Sequence, residues 1–368
     1  MLFVVYLQSM IDEITIRGFK SIKSQCVSLG SMNILIGGNG IGKTNFISAF
    51  ELMRDIYEQQ LQSYVLRKGG ANGLLYNGKK YTRSIELALK FTHEGNHNKY
   101  SLILGEAQDT LYVKEEESGY MYPDGWSWQT YAANEKESQI KNTRVRQAKY
   151  VKPLLEQFEI YHFHDTGDTS PMKRFADLHD NRRLRRDGSN IAPFLYWMKE
   201  KHPNHFRRIE IMVKTVSPFF ESFVLEPNRL NSDTIRLEWK QQGVDDVLFN
   251  ANQLSDGSLR FVCLAALLMQ PEPPSTILID EPELGLHPLA INKLCSLLKK
   301  ASACSQIIVS TQSVGIVDNF TPNEIIVADR ENDASVFNHL SEDNLKSWLK
   351  DYSLGELWEK NVIGGQPF

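Results

Sequence analysis

The sequence predicts an α/β protein, with a parallel sheet that carries a phosphate-binding loop, an antiparallel β layer flanking it, and a helical insertion between two halves. Three observations predict this. Gly37-Gly38-Asn39-Gly40-Ile41-Gly42-Lys43-Thr44 fits the pattern G-x-x-x-x-G-K-[ST]. The loop lies between a short apolar run, residues 32–36, and a stretch where Phe46, Ile47, Phe50, Leu52 and Met53 recur at helical spacing. After residue 250, strand-like and helix-like segments alternate, and one of the strands ends in Asp280-Glu281.

A chain of 368 residues has room for one large domain or two modest ones. Its hydrophobic content of 42% and charged content of 23% are ordinary for a globular protein. The net charge of −4 gives no overall basic field that calls for nucleic acid, although a local basic patch stays open. Cys26, Cys263, Cys295 and Cys304 show no paired metal spacing, and three of them sit in apolar surroundings. They read as reduced thiols, which suits a cytoplasmic protein. Residues 1–7 are apolar but lack a basic flank and a small-residue cleavage site, so they do not read as a signal peptide. Met10 is an equally natural start, which makes the first nine residues a dispensable extension. No run reaches membrane-spanning length, and no membrane partner is expected.

Taken in order, residues 11–16 alternate as a strand, residues 18–21 turn, and residues 27–29 form a second short strand. The loop helix runs from about 43 to 57. Residues 84–91, 99–104 and 110–115 read as an antiparallel meander. Residues 119–128 read as a Gly/Pro/aromatic loop, and 135–150 as an exposed, charged helix. Residues 159–163 are strand-like and lead into a polar, basic stretch at 164–187. Helices are expected at 194–201 and 206–215, and a strand at 235–239. There is no sustained heptad, so no long coiled coil is expected. A helix at 261–269 ends at Pro271, a strand follows at 276–280, and a helix at 289–301. Further strands are expected at 306–310 and 324–328. The expected division is residues 1–150 and 251–368 as the two parts of one head, with 151–250 as a lid-like insertion.

The chemistry follows from these placements. Glycines let the loop backbone wrap an anion and turn its N–H groups inward, and the helix N-terminus adds partial positive charge. Gly37, Asn39, Gly40, Gly42, Lys43, Thr44 and Asn45 form the expected nucleotide-binding set. Lys43 is expected to reach the β- and γ-phosphates of ATP, and the Thr44 hydroxyl to ligate Mg²⁺. An apolar strand ending in two acids puts both at the carboxyl edge of a parallel sheet, where ligands bind. Asp280 is the second expected Mg²⁺ ligand, and Glu281 the residue that polarises the attacking water. Leu254-Ser255-Asp256-Gly257-Ser258 opens a helix, so Ser255 and Gly257 offer a hydroxyl and a backbone N–H to an anion. Alone, that motif reads more readily as an ordinary helix cap.

The order of these pieces resembles ABC-type ATPases, and more closely the cytosolic branch that includes SMC, RecF-like and OLD-like ATPases. Asp280-Glu281-Pro282-Glu283-Leu284-Gly285-Leu286-His287-Pro288 and Arg17-Gly18-Phe19-Lys20-Ser21 carry the likeness. Residues 161–166, 254–260 and 354–358 look like a narrower group of stand-alone bacterial AAA-family ATPases. The resemblance implies a P-loop head that forms a homodimer, either ATP-dependent or constitutive. In such a dimer Ser255 and Gly257 of one copy reach the γ-phosphate held by Lys43 of the other, and Leu286 and His287 lie at the interface. It also implies a DNA-related or anti-phage defence role beside DNA, RNA or a separate effector such as a nuclease. Transporter-type relatives carry a γ-phosphate histidine where this chain has Gln312, which hydrogen-bonds but carries no charge, so slow turnover is expected. No magnesium-sensing glutamine is placed, Gln157 being the nearest candidate. A different reading is a nucleotide-switched scaffold with negligible turnover.

Other constellations have plainer readings. Arg182, Arg183, Arg185 and Arg186, with Lys173 and Arg174, are interleaved with Asp177, Asp180 and Asp187, which reads as a solvated, internally paired surface. His162 and His164 share one face of an extended segment, but no second ligand pair accompanies them. Tyr196, Trp197, Phe219, Phe220 and Phe223 read as insertion core, and Phe19 and Lys20 as either adenine neighbours or strand-end packing.

Overall fold

In the computed structural model, residues 9–93, 95–244 and 246–366 are described, so the N-terminal extension through residue 8 lies outside the described residues. The chain divides into two compact units. The first holds residues 1–160, 274–278 and 305–368, and the second holds 161–273 and 279–304.

The first unit is built on two six-stranded sheets. One is antiparallel, in the order Ile22–Ser28, Met10–Phe19, Ser84–His93, Asn96–Ala107, Thr110–Tyr122, Gly125–Glu135. The other runs Ala334–His339, Ile325–Glu331, Met32–Ile36, Gln306–Thr311, Thr276–Asp280, Phe158–Tyr161. Met32–Ile36 pairs in parallel with both Gln306–Thr311 and Ile325–Glu331. Strands buried on both faces need no polar alternation, and every residue of Met32–Ile36 and Gln306–Thr311 is buried. The helix Lys43–Tyr57 carries polar residues as well as apolar ones, yet eleven of its fifteen residues are buried, Lys43, Ser48 and Arg54 among them. Its Phe46 and Phe50 share one core with Ile14 and Ile16 of the antiparallel sheet and Leu35 and Ile308 of the other.

Two segments differ from the sequence reading. Residues 119–128 are not a loop, because the strands Thr110–Tyr122 and Gly125–Glu135 run through them with only a tight turn between. Gly119 pairs with Trp128 and Tyr120 with Ser127, and Pro123-Asp124 marks the turn rather than a long loop. Residues 135–147 are not an exposed helix either. The buried carboxylate of Glu116 accepts hydrogen bonds from Ser138 Oγ (2.6 Å), the Gln139 N–H (2.8 Å) and Tyr100 Oη (2.7 Å). That anchor holds the segment as turns, with Ile140 fully buried, and the helix starts only at Ala148. The expected strand at 324–328 is longer and turns back at Asn332-Asp333, both at positive φ, into Ala334–His339.

The second unit is mainly helical, with Ile191–Lys201, Pro203–Val216, Asp256–Met269 and Pro288–Ala301. A three-stranded sheet joins Phe220–Val224, Glu238–Gln241 and Phe249–Asn250. The single strand expected at 235–239 is split between Thr234–Ile235, which pairs with Ala176–Asp177, and this sheet. Of the aromatics expected in the insertion core, Phe220 and Phe223 are buried and pack together, joined by Trp239, whereas Tyr196 and Trp197 are half-buried and Phe219 is 41% exposed. No helix among the described residues is long and apolar enough to cross a membrane.

Candidate active site

The phosphate loop is shaped by close approach on one side and by a small web of hydroxyls. Gly42 has φ of 120°, and a Cβ there would meet Ser335 Oγ at 2.2 Å and Ser21 Oγ at 2.9 Å. Only glycine satisfies both limits. The Ser335 hydroxyl bonds the Ile41 carbonyl and, at 2.7 Å, the Ser21 hydroxyl. Asn45 Nδ2 donates to Ser21 Oγ at 2.7 Å. The Gly38 N–H donates to the Gly365 carbonyl at 2.6 Å. Lys43 is only 5% exposed, and its ammonium donates to the Gly37 and Gly38 carbonyls at 2.6 and 2.9 Å. The buried ammonium is thereby turned onto carbonyls of the loop itself. Thr44 is exposed at the helix N-terminus. Phe19 is fully buried in the core, so strand-end packing, not a base, occupies it.

In the second unit, Asp280 closes its strand 8% exposed, and its Oδ1 has no hydrogen-bond partner among the described residues. An orphaned buried carboxylate oxygen costs about 1–3 kcal/mol or more and fits a cation ligand, which Thr44 and Asp280 were expected to provide for Mg²⁺. Glu281 sits at φ of 45°, a backbone region that costs on the order of 1–3 kcal/mol for a residue with a Cβ. Such strain persists where the surroundings impose it and often marks functional positions.

The helix Asp256–Met269 starts at Ser255, whose Oγ accepts the Ser258 N–H (3.2 Å) and bonds the Ser258 hydroxyl (2.8 Å). Its hydroxyl therefore serves as its own helix cap, the plainer of the two sequence readings. Gly257 lies so close to the Gly285 carbonyl that a Cβ would meet it at 2.2 Å. His287 also acts as a cap, its Nδ1 accepting the Leu289 N–H at 3.3 Å. Gln312 is exposed at the end of its strand, and Gln157 is exposed at the end of the helix Ala148–Gln157. In the basic stretch, Arg185 pairs with Asp180 (2.5 Å) and Lys173 with Asp256 (3.6 Å), while Arg182 and Arg183 are exposed.

Several supporting residues escaped the sequence reading. Ser21 and Ser335 hold the phosphate loop although they are far apart in the chain. Arg260, 6% exposed, donates from Nε to the Phe163 carbonyl (2.8 Å) and from Nη2 to the His164 carbonyl (3.1 Å). It thereby fixes the segment that carries His162 and His164. Those two histidines and Asp280 bring one ligand atom each within 4.8 Å of one another. The signal for the third member was the strand-end acid itself, already assigned another role.

A strand, phosphate loop and helix on a parallel-stranded core, with an acid pair ending a buried strand, define an ABC-type, SMC-like P-loop ATPase fold. The chain belongs to the family described as "AAA domain, putative AbiEii toxin, Type IV TA system", whose pattern matches residues 32–318. No curated protein matches it. Among solved structures it is similar to an SmcHead bound to the C-winged helix domain of ScpA, with 20% identity, TM-score 0.59, and 92% of this chain and 99% of that one covered. It is similar also to the Smc head domain with an extended coiled coil, bound to the C-terminal domain of ScpA, derived from Pyrococcus furiosus. There the identity is 18% and the TM-score 0.57, with 94% and 99% covered. At such identities the likeness concerns the fold, and this fold supports nucleotide binding and hydrolysis.

Proposed function

We propose that the protein binds and hydrolyses Mg-ATP, that two copies close around ATP, and that the cycle drives a partner in a DNA-related or anti-phage process. The observation that supports this most is the phosphate loop, glycine-shaped, pinned by Ser21 and Ser335, with a buried Lys43 at its mouth. Lys43 and the loop amides neutralise the phosphates. Thr44 and Asp280 are the residues that would hold a magnesium ion, which would supply positive charge against the phosphate oxygens. Glu281 orients the attacking water and takes up its proton. Gln312 hydrogen-bonds the γ-phosphate without adding charge, which keeps turnover slow. Ser255 and Gly257 contact the γ-phosphate held by the other copy, and to do so Ser255 gives up its capping bond to Ser258. The partner is a separate effector protein such as a nuclease, or a nucleic acid.

Phosphate release from purified protein tests the enzyme reading. Multiple turnovers that Lys43→Ala and Glu281→Gln both abolish are expected. The exposed, uncharged Gln312 also suits a nucleotide-switched scaffold. ATP binding with no product over hours would favour the scaffold over the enzyme.

A further inference from the structure

We propose that His162, His164 and Asp280 form a binding site for a divalent first-row transition ion, of the type that takes imidazole nitrogen. Magnesium is served by oxygen ligands, so two histidines beside a carboxylate speak for a different ion. The extended chain sets both rings on one face, 5.9 Å apart between centroids and inclined by 30°. Phe163, between them in the chain, is buried. The backbone carrying the rings is pinned: His162 N–H donates to the Arg186 carbonyl at 2.9 Å, and Arg260 holds the Phe163 and His164 carbonyls. Asp280 supplies the third ligand, a nearly buried carboxylate whose Oδ1 has no partner among the described residues.

The ligand atoms lie within 4.8 Å of one another. Donors at about 2.0–2.2 Å from a tetrahedral ion stand about 3.4 Å apart, so side-chain rotations of about an ångström close the site. Three protein ligands leave a position for water or another ligand, as in open zinc sites. All three ligands belong to the second unit, so ion binding needs neither nucleotide nor the ATPase reading.

The test is titration of untagged, chelator-treated full-length protein with Co²⁺ and with Zn²⁺, without nucleotide. One ion per chain is expected, with Co²⁺ absorption bands that report nitrogen ligation. His162→Ala and His164→Ala should each weaken binding at least tenfold, and thermal unfolding without metal verifies that they fold. His164→Asn, closer in size, replaces any variant that does not. Changing His202 and His205 together to Ala should leave binding intact, although their rings also lie near each other, at 6.1 Å. No uptake by the wild type at micromolar ion, uptake unaffected by the His162 and His164 changes, or loss on changing His202 and His205 overturns the proposal.

Discussion

Glu281 shows how much one residue can carry. Its positive φ is retained although a glycine would relieve it, and the proposed role in activating water explains why a carboxylate stands there. Glu281→Gln keeps size and polarity but removes the base, so phosphate release should fall by roughly 10²–10⁴-fold with ATP affinity retained. Measuring turnover and nucleotide binding on the same preparation checks this. Arg54 is a residue of the opposite kind, structural and hidden. Its Nη1 donates to the Leu155, Glu156 and Phe158 carbonyls at 3.0–3.2 Å, and its Nη2 pairs with Glu159 at 3.0 Å. Arg54→Ala strands these acceptors, and we expect a loss of about 2–4 kcal/mol in urea unfolding. The sequence made Lys43, Asp280 and Glu281 legible because each lies in a short contiguous motif. The contacts of Arg54, Ser21 and Ser335 were not legible, because their partners lie tens to hundreds of residues away. The histidine pair and Asp280 were each visible in the sequence, but their approach to one another was not, since more than a hundred residues separate them.

Elements were legible where burial gives a clean period. The parallel strands read as continuous apolar runs because both of their faces are covered, and their ends fell close to expectation. The errors lie where a buried polar anchor overrides local propensity. Glu116 is the clearest case, since it pulls 136–140 against the sheet. Glu116→Ala should destabilise the protein by about 2–4 kcal/mol and increase proteolysis within that segment, which limited digestion would reveal. The helices of the second unit also separate the cysteines. Cys263 and Cys295 are fully buried, and burial pushes the Cys295 thiol up to about 12 and Cys263 further still. Raised values keep both protonated at pH 8, so a thiol reagent should label Cys26 and Cys304 alone in folded protein and all four after denaturation. Fast labelling of Cys263 in the native state would contradict this packing.

At the scale of the molecule, the sequence conveyed a P-loop ATPase fold. It did not convey that strand Thr276–Asp280 contributes to both compact units, because long-range packing sets that division. The proposed cycle requires a second copy, since Ser255 and Gly257 act on phosphate held elsewhere. The most direct test is the solution mass of Glu281→Gln with and without Mg-ATP. The account predicts that ATP raises the mass to that of a dimer and that adding Ser255→Arg abolishes the rise while ATP still binds. An ATP-bound Glu281→Gln protein that stays monomeric would contradict it.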